Sequence, residues 1–524
     1  MRKKALIFNK VFLIIYFLFV GFVFAEEKGG LDLPELIILG EDLSRVDLLG
    51  KGLTLSDRPA VAKFHFLDEI VIDKSSKSFL RFAQPSRARR KNELSLFGGN
   101  FDSLGGSIFY ATESQKNTWL SLFLNGSKGD DEFENRSYSN GDIQAEFGVI
   151  PNRGTSLRFG GEFSGKRYHS PFFDDGEFEL IERVIAFSAG RTISDIMSLE
   201  LQLEGQKGKF STDVDRFKDV DQTLGSLDLG MKLALGRSNI LSLRGGVLRE
   251  VLEDESEEKK YNVRYIEFKN RLLITKCLNL TLGIRRDHDT RLDEDFITGL
   301  GNMQFRIIGD ILGYVGYAPR LYSPLFRETY YDNDYLGVNY SLLPEKKKFF
   351  LEEGIILATD GGLRSQLGFF QYKTEDFIVI NDTTSLGEPI NIDEVDFLGV
   401  KFNSRLKITK NLFKEIDYIF QEESNEDSIR VPYHPRHSLF VRLKYERRFW
   451  GGDVSFTTRS KRYYNVDGGS LPSYGIWGIR FVIHPFDGYN LFIKIDNLRE
   501  KEYSLRYGYP YKGRRYQAGL SVKF

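Results

Sequence analysis

Along most of this chain, apolar and polar positions alternate with a period of two. At the C-terminus Tyr516, Ala518, Leu520, Val522 and Phe524 fall on one face, and Arg515, Gln517, Gly519, Ser521 and Lys523 on the other. Such alternation over about ten residues predicts a strand with one apolar and one polar face. A chain that ends on a strand leaves an edge to be paired, and closure into a barrel removes the edge. A tilted strand of about ten residues also crosses the hydrocarbon layer of a bilayer. The even-numbered residues are therefore expected to face lipid and to form the barrel-closing, assembly-directing strand. The other reading of this stretch alone is an edge strand of a soluble sandwich.

The same alternation starts at Glu93, in ELSLFGGNF and GGSIFYATE, and recurs through NTWLSLFLNGS, DIQAEFGVI, TSLRFGGEFSG and onward to the end. Two kinds of connection separate these segments. One is short and rich in turn formers, as in 151–154, 193–195, 236–239 and 359–362. The other is long, charged and aromatic, as in 128–139, 168–179, 249–260, 285–295 and 320–348. The two kinds take turns along the chain, which predicts short turns on one side of a membrane and long loops on the other. A soluble sandwich has no reason to sort its loops in this way. The predicted fold is an all-β, transmembrane, antiparallel up-and-down barrel of about 22 strands over 93–524, with its N-terminus in the periplasm.

Composition adjusts this picture only at the N-terminus. Phe (44), Tyr (26) and Gly (50) are plentiful, while charged residues make up 28%, which suits a lipid-facing sheet and not a helical membrane protein. A net charge of -1 gives no electrostatic case for nucleic acid. A single cysteine, Cys277, excludes an internal disulfide. Arg2, Lys3 and Lys4 precede the apolar run 11–24, and Val23-Phe24-Ala25 precedes Glu26-Glu27, so residues 1–25 read as a signal peptide cleaved after Ala25. Residues 26–92 are poor in apolar side chains and form a short periplasmic or lumenal segment.

From about Tyr314 onward the chain resembles the C-terminal half of a TonB-dependent outer-membrane receptor. The resemblance rests on six pieces in order: GYAPRLYSPLFRETY (316–330), LLPEKKKFFLEEGI (342–355), GFFQYKTEDFIVI (368–380), NIDEVDFLGVKF (391–402), VPYHPRHSL (431–439) and the closing IKIDNLREKEYSLRYGYPYKGRRYQAGLSVKF (493–524). It implies an outer-membrane location in a Gram-negative-type bacterium, lipid and the barrel-assembly machinery as partners, and uptake of a scarce nutrient such as a metal chelate, cobalamin or an oligosaccharide. The family's plug domain is missing or much reduced, since 26–92 spans about half of what a plug takes. Within it, LPELIILGED resembles a TonB-contacting segment, with Glu35, Leu36, Ile37, Ile38 and Leu39 as the contact strand. The alternative is a short apolar segment of no special role. What fills the lumen stays open between a reduced plug, inward loops, a separate plug or periplasmic protein, and an open pore.

The loop 320–348 is the candidate ligand contact, with Tyr322, Phe326, Tyr330, Tyr331 and Tyr335 as its aromatic residues. Catalytic residues, metal ligands and cofactors are not expected. His434 and His437 read as structural, Asp287-His288-Asp289 as a solvated external loop, and the glycines near 98–107 as turn residues. A second function, a passive porin-like or scaffold barrel working with a partner protein, stands beside nutrient uptake.

Overall fold

In a computed structural model the described residues are 92–524, except 101–102, 115–117, 131–136, 153, 170–176, 195, 213–218, 237, 255–257, 276, 293, 323–341, 360–361, 382–387, 427–428, 508 and 512. The first strand, Glu93–Gly99, shows how the alternation is used. Leu96 is 52% exposed on the outer face, and Ser95 on the inner face donates to the Glu93 carboxylate at 3.3 Å. From there each wall strand pairs antiparallel with the next. Arg320–Tyr322 continues Ile311–Tyr317 against the same neighbour, Glu345–Ala358, so the 23-stranded sheet forms a wall of 22 staves. The wall closes where Glu93–Gly99 pairs with Arg515–Lys523, in the register Glu93↔Lys523 to Gly99↔Gln517. This is an antiparallel up-and-down barrel without a free edge.

Outward residues form an apolar band. Leu120, Phe147, Phe159, Phe187, Leu203, Leu227 and Val247 lie directly opposite one another across seven adjacent strands. Those strands run from Thr118–Asp130 to Asn239–Asp254. Phe159, on Thr155–His169, is 53% exposed within that row, with the outward Arg191 nearer the short turns and Arg167 nearer the long connections. Exposed aromatic and aliphatic side chains in a continuous row are what hydrocarbon solvates and water does not. Phe159→Arg is expected to lower the unfolding free energy in lipid vesicles by about 2–4 kcal/mol. A change under about 1 kcal/mol would mean that this row lies at the interface and not in the hydrocarbon.

The two rims differ as the sequence implies. On one rim the connections are brief, as between Asn152 and Thr155, Ser194 and Met197, Thr275 and Leu278, and Ile308 and Ile311. Cys277 sits exposed in the third of these. The N-terminal end of the first strand and the C-terminus share this rim, where the Phe524 amide donates to the Asn92 carbonyl at 2.9 Å. The opposite rim carries the connections 318–344, 425–436, 460–473 and 497–514. Two small hairpins, Arg462–Tyr463 with Ser470–Leu471 and Tyr503–Arg506 with Tyr509–Tyr511, stand in them.

Several segments expected to be loops are strand. The ladders run on to Asp130 and Ser137, to His169 and Glu177, to Asp254 and Glu258, and to Asp289 and Glu294. Charge does not end an antiparallel ladder when side chains pair across it. Arg167 reaches Glu177 and Glu179 at 2.6 and 3.1 Å, and the Arg291 guanidinium lies 4.9 Å over the Tyr261 ring. The glycines near 98–107 are likewise strand residues flanking the turn, not turn residues.

Candidate ligand-facing mouth and inner wall

The inner face is polar where the outer is apolar. One network crosses four staves. The Tyr314 hydroxyl donates to Glu352 Oε1 at 2.8 Å and accepts from Gln366 Nε2 at 2.8 Å, while Lys401 Nζ stands 2.5 Å from the same carboxylate oxygen. Glu352 is 1% exposed and Lys401 5%. Gly354 and Gly368 make the network possible, because a Cβ on either would meet the Tyr314 hydroxyl at 2.8 or 2.6 Å. A second network joins Asp228, Tyr265, Arg244, Glu267, Arg285 and Asp287, with Arg285 bound bidentately to Asp287 and lying 4.2 Å over the Tyr265 ring. The inward charges of these two networks are tolerated because each has an opposite charge within reach.

Nearer the mouth the inner wall turns apolar. Phe350, Phe370, Tyr372, Phe377, Val395 and Phe397 pack together, with Tyr372 and Phe397 stacked at 4.5 Å. His434 closes this cluster, its ring 5.3 Å from Phe397 and 5.7 Å from Phe377 and its Nδ1 2.9 Å from the Pro432 carbonyl. Its role is packing. His437 sits beside Tyr418 at 3.0 Å. Asp287-His288-Asp289, expected in an external loop, ends the strand Leu278–Asp289 instead. Alternation then splits the three: Asp287 and Asp289 are buried against Arg285 and Arg291, and His288 lies on the other face, 3.3 Å from Asp295. Groups of three or more metal-ligating side chains do not occur among the described residues.

Several residues inside the quoted motifs turn out to be clamps on the external connections. Asn391 holds the Leu343 amide and carbonyl and the Asp376 carbonyl at 2.9, 3.0 and 2.7 Å, which ties down the end of the 318–344 connection. Glu345 accepts from the Ile378 amide at 2.9 Å. Asn497, at a positive φ of 54°, donates to the Lys501 and Gly513 carbonyls and accepts from the Lys501 amide. Asparagine tolerates this backbone better than most residues. These roles were not legible in the sequence, since each partner lies across a loop or on another strand.

Of the expected site residues, the closing strand is the one the structure describes in full. Ala518, Leu520 and Val522 pair on one side with Gly98, Leu96 and Leu94 and on the other with Ile493, Leu491 and Tyr489. Tyr516 is 42% and Phe524 66% exposed, whereas Gln517 and Ser521 are buried on the inner face. Tyr322 takes its place opposite Glu345. Phe326, Tyr330, Tyr331 and Tyr335 lie outside the described residues, as do Glu35, Leu36, Ile37, Ile38 and Leu39.

A lipid-banded barrel of 22 staves, with short turns on one rim and clamped long connections on the other, is the architecture of a large outer-membrane β-barrel. The family model for the TonB-dependent receptor-like β-barrel matches residues 75–498, and the chain belongs to that family. It is a family of receptors and transporters, not of enzymes. No curated protein sequence matches the chain. Among solved structures, the copper transporter OprC superposes with a TM-score of 0.69 at 14% identity, covering 83% of this chain and 81% of that one. The ferric-catecholate import receptor Fiu from E. coli K12 gives 0.68 at 11% identity, covering 83% and 82%. A mutant of the ferric enterobactin receptor PfeA from Pseudomonas aeruginosa gives 0.67 at 15%, covering 83% and 80%. At these identities the likeness speaks for the fold.

Proposed function

We propose that the chain is an outer-membrane receptor that captures a scarce, bulky nutrient at its external mouth and passes it through the lumen. The observation that carries this reading is the family match across the barrel, 75–498. The clamped external connections support it, since aromatic and polar loops on a rigid wall make binding surfaces. Of the cargo classes considered, a metal chelate gains support from neighbours named for copper or ferric-siderophore import. In this reading 1–25 direct export, 26–92 act as a reduced plug, and Glu35 to Leu39 pair with TonB to couple uptake to energy. The aromatic side chains of Tyr322, Phe326, Tyr330, Tyr331 and Tyr335 meet the cargo. Phe524 and its strand address the chain to the assembly machinery.

Single-channel conductance of the refolded protein, with and without 26–92, tests this. A closed full chain and a conducting truncated one are expected. Free conductance by both would favour a passive porin-like barrel, and closure of both would favour a barrel sealed by its own loops or serving a partner.

A further inference from the structure

Three external connections, 425–436, 460–473 and 497–514, interlock on one side of the mouth. The Tyr433 amide donates to the Tyr463 carbonyl at 2.7 Å, the Tyr507 amide donates to the Tyr433 hydroxyl at 3.3 Å, and Tyr464 stacks on Tyr507 at 4.0 Å. Tyr433 holds a positive φ of 61° at this junction, a conformation that a bulky residue adopts only under tertiary constraint. Among them Arg462 is almost wholly enclosed, at 1% exposure.

The surroundings of Arg462 do not neutralise it. Its Nη2 donates to the Ser504 carbonyl, and its guanidinium stands 5.1 Å over the Tyr474 ring. Nη1 is buried without a hydrogen-bond partner. The cation Arg459 is close enough to disfavour its charge further. Burial pushes the guanidinium down to about 10, which leaves it charged at neutral pH. Lys461 adds to the imbalance, 5.6 Å over the Tyr463 ring, and Arg430 stands 4.9 Å over the same ring while also feeling the Glu423 carboxylate. Among the described residues, Arg430, Lys461 and Arg462 form no ion pair. The inner-wall cations Lys401 and Arg285, by contrast, each have a carboxylate. Tyr474 shares the inward face of its strand with Ile476 and packs its ring 4.9 Å from Tyr503, so the guanidinium lies toward the lumen and away from lipid.

A buried guanidinium with an idle donor is stabilised by an oxyanion, which fits its planar fork and is drawn by uncompensated charge. We propose that Arg462, flanked by Arg430 and Lys461, is an oxyanion-binding site at the external mouth, taking a ligand that bears carboxylate or phosphate groups. The ligand's oxygen accepts from Nη1 while Nη2 keeps the Ser504 carbonyl, and at 1% exposure the guanidinium is reached only when the connections around it part. As a cargo site this rests on the uptake reading; as an anion site it stands without it.

The test is calorimetric titration of the full chain in detergent, with citrate and separately with inorganic phosphate as probes. Wild type is expected to bind at least one of them. Arg462→Gln is expected to weaken binding about tenfold or more, and Arg462→Lys, which keeps the charge but not the planar fork, to restore only part of it. Lys461→Gln changes an exposed side chain that does not touch Ser504, and is expected to weaken binding severalfold with an unaltered fold. Should Arg462→Gln not fold, Lys461→Gln combined with Arg430→Gln decides. Absence of binding to both probes, or binding unchanged in these variants, overturns the proposal. Titration against vesicles containing anionic lipid separates the sources: a lipid phosphate that competes with citrate would overturn the assignment to a free ligand. Binding without nutrient uptake by cells would sink the uptake reading and keep the site. Uptake at full rate by Arg462→Gln would overturn Arg462 as a cargo site and keep the uptake reading.

Discussion

Removal of Arg515 to Phe524 is expected to abolish the folded barrel. This strand is hydrogen-bonded on both sides, to Glu93–Gly99 and to Tyr489–Asp496. Without it two staves present open edges to hydrocarbon, where each unsatisfied backbone group costs several kcal/mol. Summed over the two edges, the loss far exceeds the roughly 5–15 kcal/mol by which a typical folded protein is stable. The check is electrophoretic mobility of the unheated refolded sample together with protease resistance; a compact, resistant band from the truncated chain would contradict closure here. Phe524→Ala separates folding from addressing. It removes an exposed side chain and leaves the Phe524 amide bonded to Asn92. It is expected to refold in vitro with stability within about 1 kcal/mol of wild type, yet to assemble more slowly in cells. Equal assembly rates would remove the assembly role assigned to Phe524.

Lys401→Met is expected to destabilise the barrel by about 3–5 kcal/mol. The substitution strands Glu352, whose Oε1 loses its cation and whose Oε2 already lacks a partner. Adding Glu352→Gln removes the stranded charge and is expected to recover much of the loss, because replacing both members of a buried pair costs less than breaking it. Urea-unfolding midpoints in lipid vesicles measure both. A single variant within about 1 kcal/mol of wild type would show that the site is wet enough to solvate the carboxylate.

The alternation from Glu93 onward and the sorting of connections by length were enough to place the strands, the closing face and the count, because both reflect a physical constraint local to each stave. The loops misread between strands show the limit. Residues such as Arg286, Asp295 and Glu177 look like loop residues in one dimension, and only cross-strand pairing makes them strand residues. The inner-wall networks were hidden for the same reason. Tyr314, Glu352, Gln366 and Lys401 lie on separate strands, and their meeting depends on register. Asn391 and Asn497 stood inside the quoted motifs, yet their work as loop clamps appears only once the loops are in place. Arg462 carried no signal at all, since nothing along the chain tells a solvated arginine from an enclosed one.

Cys277 offers an experimental handle of a different kind. It is the single cysteine of the chain and lies exposed on the short-turn rim. Chemistry directed at its thiol therefore attaches one tether per molecule, always at the same end. Protein immobilised through it stands with the opposite mouth toward the solution, so a sensor surface built this way presents every copy in one orientation to an incoming analyte.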